Sequence, residues 1–85
     1  MSVTKVYAVL DIKLGEYLSP MHFASPGVAE RALNNAVNAK EGEFASHPAD
    51  FALYELGSFD SVTGKFDNHP NPVHIVNAIS LVQLS

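Results

Sequence analysis

The most constraining feature of the sequence is the run of residues 44–66, which combines a chain break, a strand pattern and a turn pattern. Pro48 favours a loop that ends the preceding segment. Residues 51–59 are rich in apolar and aromatic side chains, and they predict a half-buried strand. Residues 60–64 predict a turn, and residues 65–66 predict a short returning strand. The run therefore predicts an antiparallel hairpin, and no catalytic motif occurs within it.

Two strands are predicted before this run. Residues 3–14 are rich in Val, Ile and Leu, and the even-numbered positions from Val6 to Leu14 predict a buried face. A turn at Gly15 and Glu16 leads into a second strand over residues 17–23. Pro20 lacks a backbone N–H, so this second strand is expected to be an edge strand or to carry a bulge.

One helix is predicted over residues 26–40. Ser25 is a favourable N-cap, and Pro26 suits the first helical position, where a missing N–H costs nothing. Gly42 is a plausible stop after the last turn. The apolar residues at helical spacing that predict its buried stripe are Val28, Ala32, Leu33, Ala36 and Val37.

The C-terminal segment is ambiguous after a break over residues 68–72, which contain two prolines. Asn71 and Pro72 could begin a helix over residues 73–84, but β-branched residues favour a strand beginning near residue 73, which we prefer. The 85 residues are expected to form a single domain. The predicted fold class is α+β: a small antiparallel sheet of order ββαββ plus a C-terminal strand or helix, with one helix packed on it.

Composition limits the function classes. The formal net charge is −4, which counts against a non-specific nucleic-acid binder with a basic face. The charged share is low, which leads us to expect a homodimer that covers part of the surface. We find no signal peptide and no apolar run long enough for a membrane helix, so a soluble cytoplasmic protein is expected.

Side chains that could carry chemistry are few. The chain has no cysteine, and its four histidines lack the converging spacing of a zinc site, so we expect no metal and no cofactor. A nucleophile with a base and an orienting group is not recognisable, so we expect a non-enzymatic protein.

Aromatic residues in strands have two interpretations. Most of them are expected in the core, since a small domain without disulfides needs large apolar side chains. Strand aromatics also stack single-stranded bases, and a tyrosine hydroxyl favours a wet edge. The residues that we predict for a DNA-binding groove are Lys5, Tyr7, Lys13, Tyr17, Tyr54 and Lys65.

Three blocks of residues together resemble a known family. They are Val6-Tyr7-Ala8-Val9 with Asp11, then Arg31-Ala32 with Ala36-Val37-Asn38, then the spaced motif of residues 44–66 that ends in Thr63-Gly64-Lys65-Phe66. Over about residues 5–66 the chain resembles the small nonstructural protein of gokushoviruses, a subfamily of the Microviridae, which are single-stranded DNA phages. The resemblance implies a protein of the infected bacterial cytoplasm, absent from the virion, that acts in viral DNA replication. It implies no catalytic residues.

Two functions from different classes follow. The first is a dimer that binds single-stranded DNA through the predicted tyrosines and lysines. The second is an interaction protein that docks on a viral or host replication protein, without direct DNA contact, through an apolar sheet face or the tail at residues 73–84. Clustering of the five cations beside the tyrosines would favour DNA, and dispersal would favour a protein partner.

Overall fold

An antiparallel sheet carries one main helix on a single face in the computed structural model, which describes residues 3–83. The strands and helices in chain order are β1 (Val3–Asp11), β2 (Glu16–Tyr17), β3 (Met21–Phe23), α1 (Pro26–Val37), α2 (Glu43–Ser46), β4 (Phe51–Asp60) and β5 (Lys65–Asn77). Short 3-10 helices cover Pro48–Asp50 and Ala78–Leu81. The predicted α+β class is confirmed.

The sheet is ordered β2, β1, β4, β5, and β3 pairs with the same edge of β1 as β2 does. The predicted second strand over residues 17–23 is therefore interrupted, as expected from Pro20, whose position has no strand structure. The first strand ends at Asp11 rather than at residue 14. Short-range hydrogen bonds end the strand there. The Asp11 side chain accepts one from Leu14 N, and the Asp11 carbonyl accepts one from Gly15 N.

The second half of the hairpin is much longer than predicted. A strand limited to residues 65–66 is wrong, because β5 continues to Asn77. The predicted break at residues 68–72 remains as an interruption of the pairing, since β5 pairs with β4 up to Asn68 and again from Val73. One register irregularity, opposite Glu55 to Gly57, takes up both Pro70 and Pro72, which lie on the outer strand of the sheet, where a missing N–H is tolerated. The preference for a strand near residue 73 is correct as far as Asn77, and position 84 lies outside the described residues.

The main core lies against the odd-numbered face of β1, whereas the prediction placed it on the even-numbered face. The prediction holds in part, because Val6 and Ala8 are also buried, on the other face of the sheet. Tyr7 and Val9, not the even positions, pack against α1 in a cluster with Leu53, Phe51 and the helix. Tyr7 is 0% exposed, so the expectation that it lies at a wet edge is wrong. The large Tyr7 ring offers the helix more apolar surface than its neighbours Val6 and Ala8 do, and burial of apolar area is the main stabilising contribution. The last even-numbered positions, Ile12 and Leu14, follow the end of β1 and are exposed.

The helix begins as predicted and ends earlier. Ser25 caps it by accepting a hydrogen bond from Val28 N at 3.4 Å, but Asn38 ends it instead of residue 40. The residues of α1 that are buried are Ala29, Leu33 and Val37. Leu33 and Val37 of the predicted stripe are thus confirmed, whereas Val28 is 41% exposed and Ala29 is buried in its place.

Asn38 also fastens the C-terminal segment to the helix. Its side-chain amide donates to Leu81 O at 2.9 Å, and its Oδ1 accepts from Gln83 N at 2.9 Å. Ala78 is fully buried, and Val82 packs against the same core. Within the described residues the tail is therefore part of the fold, rather than a free docking segment.

Candidate functional site

The face of the sheet opposite α1 carries a group of ring side chains, which we call the ring face. Its members come from four strands: Tyr17, His22, Tyr54, Phe59, Phe66 and His74. The pairing explains why they share one face, because directly opposed residues of neighbouring strands point the same way. Tyr54 lies opposite Ala8 on one side and His74 on the other, and Phe59 lies opposite Thr4 and Phe66 in the same manner.

The rings form two rows that cross the sheet. In one row the Tyr54 ring contacts Tyr17 at 5.6 Å between centroids and His74 at 5.4 Å, both nearly edge to face. In the other row the Phe59 ring lies 5.9 Å from His22 and 4.9 Å from Phe66. Spacings of this kind are favourable for aromatic pairs, so the rings hold one another in place.

Small residues beneath the rings allow this arrangement. Ala8, Ala52 and Gly57 lie on the ring face and are buried, although no helix of the described residues packs there. At the margins the rings remain accessible, since Tyr17 is 43% exposed and Phe66 is 58% exposed. The face therefore offers flat apolar surfaces to solvent on an ordered scaffold.

The cations do not gather at the ring face. Lys5 lies on the helix side of β1, where its charge acts on Glu55. Lys13 follows the end of β1, whereas Lys65 begins β5 opposite Asp60, which itself pairs with Val3 at the start of β1. Because a strand rises about 3.3 Å per residue, these two lysines are roughly 30 Å apart along the sheet.

The predicted site is therefore brought together only in part. Tyr17 and Tyr54 meet on the ring face, Tyr7 and Lys5 lie on the opposite face, and Lys13 and Lys65 stand at opposite ends of the sheet. The prediction missed the four remaining rings of the ring face. A signal for two of them was present, since a turn over residues 60–64 places position 59 opposite position 66.

A small polar cluster lies on the helix side of β4. His69 Nε2 donates to Glu55 Oε2 at 2.6 Å, which joins the irregular part of β5 to β4. Burial by itself would raise the pKa of Glu55, but the hydrogen bond from His69, the neighbouring Tyr7 hydroxyl and the charge of Lys5 lower it below its ordinary value. Burial, and secondly the Glu55 carboxylate, raise the pKa of Tyr7 to about 12. Among the described residues the Tyr7 hydroxyl has no partner that meets hydrogen-bond geometry, so its influence on Glu55 is one of proximity.

The histidines have separate environments. His22 and His74 belong to different rows of the ring face, His69 binds Glu55, and His47 ends α2. Among residues 3–83, no group of three metal-ligating side chains is close enough to hold an ion. Within the same range, no helix is long and apolar enough to cross a membrane.

Comparison with known proteins gives one result. A family model described as phage ORF5 protein matches residues 4–81, which extend from β1 to the final 3-10 helix. The chain belongs to the phage ORF5 protein family. No protein with a curated description matches significantly. No solved structure matches significantly either. The family match thus covers the ring face and the helix side alike, and it assigns no residue a role.

Proposed function

We propose that this phage protein binds single-stranded DNA, with the ring face as the contact surface. The observation that carries the proposal is the presence of six ring side chains on one sheet face that the helix leaves uncovered. Proteins that bind single strands stack bases on strand aromatics, at about 1–3 kcal/mol per base. The exposed rings Tyr17 and Phe66 are the positions best placed to stack.

The phage setting gives this binding a role. We propose that the chain is the small nonstructural protein of a gokushovirus, acting in viral DNA replication in the cytoplasm of the infected bacterium and absent from the virion. Membership of a phage protein family supports the setting. The sequence blocks at residues 5–66 support the finer assignment. The role is one of binding, without catalysis.

Stacking must supply most of the affinity, because the net charge is −4 and the cations are dispersed. Lys13 and Lys65 stand at the two ends of the sheet, and contact with both would release about two counterions. The slope of log affinity against log salt is then about −1.4 or shallower. A steep slope would point to a basic surface that this fold does not have.

We further propose that the protein is a homodimer. The hairpin end of the sheet exposes Val3 and Val62, of which Val62 is 79% exposed, and a second copy would cover this apolar end while leaving the ring face free. Sedimentation at high micromolar concentration tests this proposal, because Val62→Lys should then yield monomers from wild-type dimers. A wild-type protein that sediments as a monomer overturns it.

DNA binding is tested by fluorescence anisotropy with a labelled single-stranded oligonucleotide at low salt. Phe66→Ala and Tyr17→Ala should each weaken binding by about 5-fold to 150-fold, as expected for the loss of one stacked base. The matched control is Leu14→Ala, since Leu14 is 71% exposed but does not belong to the ring face. No binding by folded wild-type protein, or equal losses in the control, would exclude the ring face as a DNA site.

A second candidate function is docking on a viral or host replication protein without direct DNA contact. The dispersal of the cations favours it, since a protein partner does not require a basic surface. A pull-down from infected cells distinguishes the two, because docking should retrieve a specific protein after nuclease treatment. Retrieval of nuclease-sensitive DNA alone would count against docking.

A further inference from the structure

An apolar cavity of about 150 Å³ lies between α1 and the sheet, on the side away from the ring face. Val9, Leu33 and Leu53 line its floor, and Met21, Ala32 and Phe44 are among the residues that surround its mouth. The cavity is open to solvent on one side.

Small side chains on the helix create the cavity. Ala29, Ala32 and Ala36 follow one another at spacings of three and four, so they lie along the same side of α1. None of them is long enough to fill the space between the helix and β3. The opposite side of the helix is closed by the C-terminal segment, which packs against the core through Ala78 and Val82.

The lining defines what the cavity can hold. Almost its entire surface is apolar, so a nucleobase or a charged group would lose its hydrogen bonds to water without replacement. A dry cavity of about 150 Å³ lined by aliphatic and aromatic side chains accommodates one benzene molecule. The fitting occupant is thus a single apolar group with the size of one ring or one branched aliphatic side chain.

We propose that this cavity receives one bulky apolar side chain, such as Leu, Ile, Met or Phe, from a partner protein. The rim favours a protein over a free small molecule. Met21 is 38% exposed and Val28, one helical turn before Ala32, is 41% exposed, so apolar surface continues outward from the mouth. A free molecule would leave this rim in water, whereas a protein segment would cover it. Met21 also adapts its shape to different occupants, because an unbranched thioether is flexible.

The cavity and the ring face lie on opposite faces of the sheet, so one occupant does not obstruct the other. A protein with both sites would join a single-stranded DNA to a partner protein. The cavity proposal does not rest on DNA binding, and each site is tested without the other.

The first experiment titrates the protein with benzene and follows methyl resonances by NMR. Saturable shifts are expected for Val9, Leu33 and Leu53, and they should be absent in Ala32→Leu, which fills the mouth from an exposed position. Asn35→Leu is the matched control, since Asn35 is exposed on the same helix and does not line the cavity. Ala36→Leu provides a second filled variant. Absence of shifts in folded wild-type protein overturns the cavity as a site.

The second experiment identifies the occupant. A photo-reactive amino acid replaces Val28 at the rim, and cross-links formed in infected cells are mapped by mass spectrometry. A cross-linked partner protein should fall about tenfold or more in yield when Ala32→Leu is added, as expected for losing the burial of one large apolar side chain. An unchanged yield, or cross-links only to a second copy of the chain, overturns the partner. Anisotropy with the oligonucleotide should not change in Ala32→Leu, which separates this result from a failure of DNA binding.

Discussion

Replacing Gly57 with alanine tests the close approach of β4 and β5. Gly57 lies opposite Val6 of β1 and Asn68 of β5, inside the sheet. A methyl group there would overlap the carbonyl oxygen of Asp67 and would lie 2.8 Å from the Cα of Asn68. Both obstacles are backbone atoms, so no side-chain rotation relieves them. The two strands must separate by roughly 1 Å to restore ordinary carbon contacts.

The direction of the change in stability makes Gly57→Ala informative, because backbone propensity and steric overlap predict opposite changes. On backbone propensity alone, alanine in place of a strand glycine stabilises by about 0.5–1 kcal/mol. Overpacking against a fixed backbone costs about 1–3 kcal/mol, so we expect net destabilisation in Gly57→Ala. For a domain of this size each kcal/mol lowers Tm by about 4–8 °C.

Urea unfolding followed by circular dichroism, at one protein concentration, measures the change. Gly27→Ala is the control: its methyl group would meet only Ser25 Oγ at 3.9 Å, and helix propensity predicts stabilisation by up to about 1 kcal/mol. A Gly57→Ala protein as stable as wild type, or more stable, would refute the strand pairing at this position.

Three further substitutions test the polar contacts. The fold lowers the pKa of Glu55, so the stability that its carboxylate contributes should be lost as pH falls below the ordinary value of 4.5. When unfolding stability is measured against falling pH, Glu55→Gln should therefore lose less stability than wild type. Tyr7 has a pKa raised to about 12, so between its ordinary value of 10.0 and that pH the unfolded chain ionises first. Alkaline unfolding of Tyr7→Phe should therefore require higher pH. Asn38→Ala removes the bonds to Leu81 and Gln83, and it should cost about 1–2 kcal/mol in urea unfolding.

The controls for these substitutions lie elsewhere on the surface. Glu41→Gln removes an exposed carboxylate and should leave the acid limb unchanged. If the acid limb of Glu41→Gln became as shallow as that of Glu55→Gln, the assignment to Glu55 would be contradicted. Asn35→Ala, on the same helix, should keep the stability within about 0.5 kcal/mol of wild type, as is usual for an exposed site. Equal alkaline unfolding in wild type and Tyr7→Phe would show that the buried hydroxyl is not the titrating group.

The predictions that succeeded concern contacts between residues close in sequence. The hairpin turn depends on the Asp60 side chain, which accepts from Val62 N at 2.8 Å, and on Gly64, whose φ of 72° suits glycine. The helix start depends on the cap at Ser25. Each of these is visible in a window of four residues, so the sequence predicts it directly.

The ring face was only partly predictable, because its side chains come from segments far apart in the sequence. Tyr17 and Tyr54 are distant in sequence, and they meet because each pairs with a different residue of β1. The register shift between Val6 and Tyr7 also alters which positions of β4 face which side. A shift of one residue exchanges the two faces of a strand, and no local pattern reveals it.

The sequence by itself determined the fold class, the hairpin turn, the start of the helix and the membership of a phage protein family, because these depend on local turn and capping chemistry and on the order of motifs. The tertiary structure decided the length of β5, the burial of Tyr7, the assembly of the ring face and the cavity beneath α1. These features depend on pairing and packing between segments far apart in the chain. The free energy that stabilises them arises only when the segments contact each other, so it is not encoded in either segment alone.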